Sequence, residues 1–232
     1  MPLVRNIPRS EARWSKFKSA YMWGNKEYYL RRTKFAVYQL ATTNVNLVVG
    51  MGIAVLRDYK GLSAPADFPN ATIKSTNIVY AIAGNTAAAL LVSVLFGTAV
   101  FFELFWPERE ESTFFQWCVK LAAACTAIFQ AASASALTYI VVKKGIEIHG
   151  VSAADEASIR ANWSGPALEY KHDTLALVVI AFSFIQLVFN TWSVLVMWKA
   201  YAHNNKYGPF KHHERKGRGS ETASLELSTG HV

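Results

Sequence analysis

The chain is predicted to be an all-α integral membrane protein, a four-helix bundle with both termini cytoplasmic and an amphipathic interfacial helix ahead of the first span. Four apolar stretches, residues 35–56, 78–105, 121–142 and 175–198, carry the prediction, because about 20 apolar residues at 1.5 Å each cross about 30 Å of hydrocarbon. Two N-glycosylation sequons, Asn70-Ala71-Thr72 and Asn162-Trp163-Ser164, fall in the first and third connections, which share one side of the membrane. The basic residues give the same orientation: nine precede the first span, six follow the last, and Arg109 and Lys120 flank the second connection, leaving 7 of 24 for the sequon-bearing side. Retention of Lys and Arg in the cytosol therefore puts head and tail inside.

Residues 1–34 form a basic, aromatic segment, residues 35–198 the membrane domain and residues 199–232 a polar tail. The formal charge of +8 comes mostly from the first segment, so it points to anionic lipid headgroups, and no motif supports a nucleic-acid partner. That segment lacks the apolar core and small-residue cleavage site of a signal peptide, so the first span is expected to act as the insertion signal.

Taking the elements in order, Trp14, Phe17, Tyr21 and Tyr28 recur at helical steps among Lys16, Lys18, Arg31 and Arg32. This spacing predicts a surface helix over residues 10–32, interrupted near Gly24-Asn25, with rings toward lipid and cations toward phosphate. The first span has a short close-contact patch at Gly50 and Ala54. The second carries Ala81, Ala89, Ser93 and Gly97 on one row with Asn85 between them, and the third carries Ala123, Ala127, Ala131 and Ser135. Small residues let backbones approach in lipid, so spans two and three, joined by the short acidic link 107–113, are expected to be the closest pair. In the outer loop 143–174, Ser152 is placed to cap a helix over 153–160, with Glu156 near the capping-box position. The fourth span is bulkier, and residues 204–232 lose any periodic apolar face and are expected to be disordered. Within that tail, Ser220 follows Arg215-Lys216-Gly217-Arg218-Gly219, a context similar to basophilic kinase sites.

Chemistry is sparse. Asn46, Gln130 and Gln186 fall near the bilayer midplane in three different spans, with Asn44 and Asn85 close in depth. Unsatisfied amides are costly in hydrocarbon, so these side chains are expected to turn inward and bond one another, as structural glue or as the lining of a polar path. Glu103 and Lys120 sit where the hairpin of spans two and three would let them pair. Cys118 and Cys125 lie seven residues apart on the third span and are expected to be buried thiols, with palmitoylation of Cys118 as the alternative. No histidine lies in a span, which removes the usual ligands of intramembrane haem or di-iron sites, and no cofactor is expected. Glu147, His149, His172 and Asp173 flank the outer ends of spans three and four, where acid–base or metal work has its main candidates, with His212-His213 in the tail as a lesser pair.

Four spans with both ends inside, a short cytoplasmic hairpin, small-residue rows and no catalytic set resemble the MARVEL-type tetraspan membrane organisers, including their fungal relatives. The resemblance is architectural, covers residues 35–198 and transfers no functional residue; the outer-loop cysteines of claudins and tetraspanins have no counterpart. It implies a protein that organises lipids or partner proteins, or copies of itself, in the plasma membrane or a secretory-pathway membrane. Two other readings stay open: a transport or channel subunit lined by Asn46, Gln130 and Gln186, and a small membrane enzyme using His149 and His172.

Overall fold

The computed structural model describes residues 3–5, 7–8, 10 and 12–211. In chain order these form β1 (Val4–Arg5), a 3-10 turn (Trp14–Phe17), α1 (Ser19–Gly24), α2 (Arg31–Tyr59), β2 (Thr72–Lys74), α3 (Thr76–Phe105), β3 (Glu110–Glu111), α4 (Thr113–Lys143), β4 (Glu147–His149), α5 (Ala153–Ala161), a 3-10 turn (Tyr170–His172) and α6 (Thr174–Tyr207). Helices α2, α3, α4 and α6 are each long and apolar enough to cross a membrane, so the chain has the build of a multi-pass membrane protein.

Each long helix outruns the apolar stretch that predicted it, because polar and amphipathic turns continue it beyond hydrocarbon depth. Ser112 starts α4 by accepting the Phe115 N–H at 3.2 Å, eight residues before the apolar run at Leu121. Asp173 starts α6 by accepting the Leu175 and Ala176 N–H groups at 2.8 and 3.2 Å. Helix α6 then runs on to Tyr207, so the expectation of disorder from residue 204 fails for 204–207; residues 212–232, including Ser220, lie outside the described residues. Helix α5 forms as predicted, except that Asp155, not Glu156, partners Ser152, whose Oγ accepts the Asp155 N–H and donates to its carboxylate.

The four long helices form a ring in which α2 packs on α3 and α6, and α4 on the same two, while the α3–α6 diagonal touches little. The most extensive pairing is α2 with α3, not α3 with α4 as the small-residue rows suggested. The close approach centres on Gly52, where a Cβ would stand 2.8 Å from Thr86 Oγ1. Gly50 faces open space, and Gly97 faces Thr42 of α2. The core has two apolar halves, one around Tyr38, Val45, Val92 and Phe96, the other around Val55, Ile82, Leu137 and Val179.

The two ends of the bundle are built differently. At one, here the terminal end, β1 pairs with β3, Tyr28 bridges Phe210, and the Lys211 N–H donates to Glu27 O at 2.8 Å, so both chain ends and the α3–α4 link are tied together. At the other, the loop end, β2 pairs with β4. Both sequon asparagines belong to the loop end and are exposed, with Asn162 Nδ2 donating to Ser158 O at 3.1 Å.

Residues 10–32 are not one amphipathic helix. They break into the Trp14–Phe17 turn and the six-residue α1, and Leu30, at φ 51°, turns the chain into α2. The segment folds back on the bundle because its aromatic groups find rings there: Phe17 meets Phe105 edge-on at 5.5 Å, and Lys16 Nζ donates to Phe105 O at 2.8 Å.

Candidate functional site

Between the two apolar halves lies a layer of amides and hydroxyls. Asn44 Nδ2 donates to Gln186 Oε1 at 2.9 Å and to Phe182 O at 3.1 Å. Asn85 Nδ2 donates to Ser183 Oγ at 2.8 Å, and Asn85 Oδ1 accepts from Gln130 Nε2 at 3.4 Å and Ser133 Oγ at 3.5 Å. All four long helices are thereby linked. Gln130 Oε1, Gln186 Nε2 and both polar atoms of Asn190 are buried there without a hydrogen-bond partner. Asn46, the third amide of the predicted midplane set, is exposed on the outer face of α2; two residues of offset are 200° of helix rotation, so Asn44 turns inward in its place.

A cavity of about 680 Å³ opens at the terminal end, in the size range of small-molecule sites. Its polar wall comes from Lys34 of α2, Glu103 of α3, and Arg109 and Glu111 of the α3–α4 link, with Tyr201 of α6 beside them. Its apolar lining comes from Leu95, Ala99 and Phe102 of α3, Val119 of α4 and Met197 and Ala200 of α6, and it reaches Val94 and Thr98, which are exposed residues of α3.

The charges in that wall are tightly coupled. Glu103 accepts from Lys34 Nζ and faces Arg109 Nη2 at 3.8 Å. The expected partner, Lys120, instead lies over the rings of Trp117 and Tyr201 at 5.0 and 5.4 Å. Arg109 Nε donates to Glu111 Oε1, Nη1 donates to Trp106 O at 3.2 Å, and the guanidinium rests over Phe102 at 5.1 Å. Burial disfavours charge on Arg109, but Glu103 and Glu111 more than reverse this and hold it above the ordinary arginine value. The Glu111 side chain is 5% exposed, the Tyr201 hydroxyl lies beside its carboxylate, and its Oε2 makes no hydrogen bond of normal geometry.

Beside this cavity, Arg31 departs from its expected place among headgroup cations. It is 1% exposed, and its guanidinium sits 4.9 to 5.3 Å from the ring centres of Tyr21, Tyr28 and Phe35 with no hydrogen bond to its nitrogens. Of the other residues assigned to the lipid interface, Trp14 is 86% exposed, Phe17, Lys18 and Arg32 are exposed, and Lys16 and Tyr21 are half-buried against the bundle. The small-residue rows divide: Ala89 and Ala123 are buried, Ser93, Gly97, Ala127 and Ala131 half-buried, and Ser135 exposed. Cys118 and Cys125 are both exposed free thiols, since the outer face of α4 passes through them, which corrects the expectation of burial.

At the loop end His149 pairs with Glu147 at 3.4 Å and His172 with Glu169 at 3.3 Å, each on its own strand or turn. Lys171, which hydrogen-bonds to Glu169, holds that carboxyl below the usual range. Asp173 is committed to capping α6. Among the described residues no three His, Cys, Asp or Glu side chains gather as a metal set. His212 and His213 lie outside the described residues.

Sequence reasoning missed the cavity. Lys34, Arg109 and Glu111 read as flanking charges, and the only signal was a run of opposite signs at one membrane boundary, Lys34, Glu103, Arg109, Glu111, which becomes a cluster once α2 and α3 are known to pack. No family model matches the chain, and comparison with curated proteins and with solved structures returns no match. Four apolar helices do not by themselves identify a MARVEL-type protein.

Proposed function

We propose that this chain is a non-catalytic membrane protein that organises lipids or partner proteins, with its terminal end in the cytosol and Asn70 and Asn162 carrying glycans on the opposite face. The observation that carries the reading is the lining of the terminal-end cavity: charged residues, Lys34, Glu103, Arg109 and Glu111, together with apolar residues of α3, α4 and α6 and the exposed Val94 and Thr98. A lipid has that same division, a polar head and an apolar chain. The exposed Arg13, Lys18, Lys26 and Arg32 and the exposed Trp14, all in the N-terminal segment, supply cations and an aromatic anchor suited to anionic headgroups. The plasma membrane or a secretory-pathway membrane is the setting in which both sequons would be modified. Likeness to MARVEL-type organisers enters as an analogy of architecture.

Reconstitution of the chain in vesicles with a lipid bearing a photoactivatable acyl chain tests the proposal. Labelling is expected on the α3 and α4 segments that line the cavity, 94–102 and 115–119, and to be suppressed by Ala99→Trp, which fills it. Labelling spread evenly over the outer helix faces and unchanged by that substitution overturns it.

A second reading, passage of a solute, is favoured by one observation: the buried Asn190 amide has no hydrogen-bond partner at mid-bundle. Flux through reconstituted protein that Asn190→Leu abolishes supports it; an absence of flux removes it.

A further inference from the structure

We infer that water enters the bundle from the terminal end and stops at its middle: the buried face of α6 is a hydrated half-path that begins at the terminal-end cavity, passes Met197 and ends in the amide layer. Such a path differs from a solute channel in being closed at one end, and it stands whatever fills the cavity.

Along its buried face α6 passes through three zones. Ala176 and Val179 are apolar, Ser183, Gln186, Asn190 and Ser193 are polar, and Met197 and Ala200 then line the terminal-end cavity. Steps of three and four residues keep all of these on one side of the helix. Val179, Ser183, Gln186, Asn190 and Ser193 are each 0% exposed. The polar run is one-sided. Toward the loop end it stops at Val179, which packs with Tyr59, Ile78, Leu137 and Tyr170 in the apolar half of the core. Toward the terminal end a single turn of helix, about 6 Å, separates Ser193 from Met197. Met197 and Tyr38 belong both to the core of that half and to the cavity wall.

The polar zone and the amides it meets are short of partners. Both polar atoms of Asn190, Gln186 Nε2 and Gln130 Oε1 are buried without a hydrogen-bond partner. Amide groups orphaned at this depth are costly unless something bonds them. They include donors and acceptors and carry no net charge, so the occupant that fits is neutral and both donates and accepts, as water does. An ion would give up its hydration shell for a zone whose side chains, Ser183, Gln186, Asn190 and Ser193, offer no opposite charge. The residue between this zone and the cavity is a methionine, unbranched and flexible, which can swing aside for a molecule of that size where a β-branched or aromatic side chain could not.

The test uses the full chain in lipid nanodiscs, with Cys118 and Cys125 replaced by Ser and one cysteine introduced by Ser193→Cys, Ser183→Cys or Val179→Cys. The probe is iodoacetamide, a small neutral reagent that consumes the thiolate, a form suppressed where no water reaches. Ser193→Cys is expected to react about tenfold or more faster than Val179→Cys, with Ser183→Cys between them. Met197→Trp, which fills the space between the cavity and Ser193, is expected to slow the reaction of Ser193→Cys. Val179→Cys staying unreactive in the Met197→Trp background shows that the bundle is folded, and Met197→Phe gives the same comparison with a smaller filling. Reaction of Ser193→Cys as slow as that of Val179→Cys overturns the inference. Fast reaction of Ser193→Cys that neither filling slows overturns entry from the terminal end. Equally fast reaction at all three positions overturns the closed end and favours passage of a solute through the bundle.

Discussion

Asn44 of α2 donates to Gln186 of α6 at 2.9 Å across 142 residues of sequence, joining the first long helix to the last in the middle of the bundle. Replacing Asn44 by Leu leaves the Gln186 oxygen without its partner and is expected to destabilise the chain by about 1–2 kcal/mol. Asn46→Leu, on the outer face, is expected to change stability by less than about 0.5 kcal/mol. Thermal unfolding of the intact chain in detergent separates the two; equal losses would contradict the observed rotation of α2.

This pair shows what the sequence makes legible and what it does not. Hydropathy runs define four helices because length and apolarity are properties of each segment alone. Depth was legible too, since counting from span ends put Asn46, Gln130 and Gln186 near the midplane with Asn44 and Asn85 close to that level. Facing was not, because the first span is apolar on most of its surface and its polar residues at 44 and 46 point to opposite sides. The same ambiguity exchanged Gly50 for Gly52 and Lys120 for Lys34 and Arg109, since which helix neighbours which is set by interlocking of all four. The terminal-end cavity depends on that arrangement and on the strand pairing of residues 4–5 with 110–111, for which two-residue strands leave no sequence pattern.

Lys34 and Glu103 form a buried ion pair between α2 and α3, with side chains 5% and 11% exposed. Lys34→Met or Glu103→Leu alone leaves a desolvated charge and is expected to cost about 3 kcal/mol. The double substitution removes both charges and is expected to recover roughly 1–3 kcal/mol relative to the sum. Denaturation of the four proteins in the same detergent measures this coupling, and strict additivity would argue against a direct contact.

Gly52 marks the closest approach of α2 to α3. Ala at this position puts its Cβ 2.8 Å from Thr86 Oγ1, so Gly52→Ala is expected to cost about 1 kcal/mol or more, with Gly52→Val worse. Thr86→Ala makes room and is expected to rescue Gly52→Ala. Gly50→Ala points into open space and, by helix propensity, is expected to be neutral or to stabilise by a few tenths of a kcal/mol. Unfolding temperatures of the four variants test the arrangement; a Gly50→Ala defect larger than that of Gly52→Ala would refute it.

Tyr28 ties the N-terminal segment to the α3–α4 link and to the residues that follow α6. Its hydroxyl donates to Glu108 at 2.7 Å and its ring stacks on Phe210 at 5.4 Å. Burial and then the hydrogen bond to Glu108 push the phenol well above its ordinary value of 10.0. An undocked Tyr28 therefore loses its proton as pH rises through about 10 while the docked one keeps it, so docking is insensitive to Tyr28 below that pH and weakens progressively above it. A nitroxide placed at Ser19→Cys, in a background with Cys118 and Cys125 replaced by Ser, is expected to be immobilised at pH 8 and to gain mobility between pH 10 and 11. Tyr28→Phe, having no proton to lose and no bond to Glu108, is expected to be more mobile at pH 8 and to show a smaller change over that interval. A label equally immobile at pH 8 and pH 11 in the parent protein would show that the Tyr28 contact does not hold the segment down.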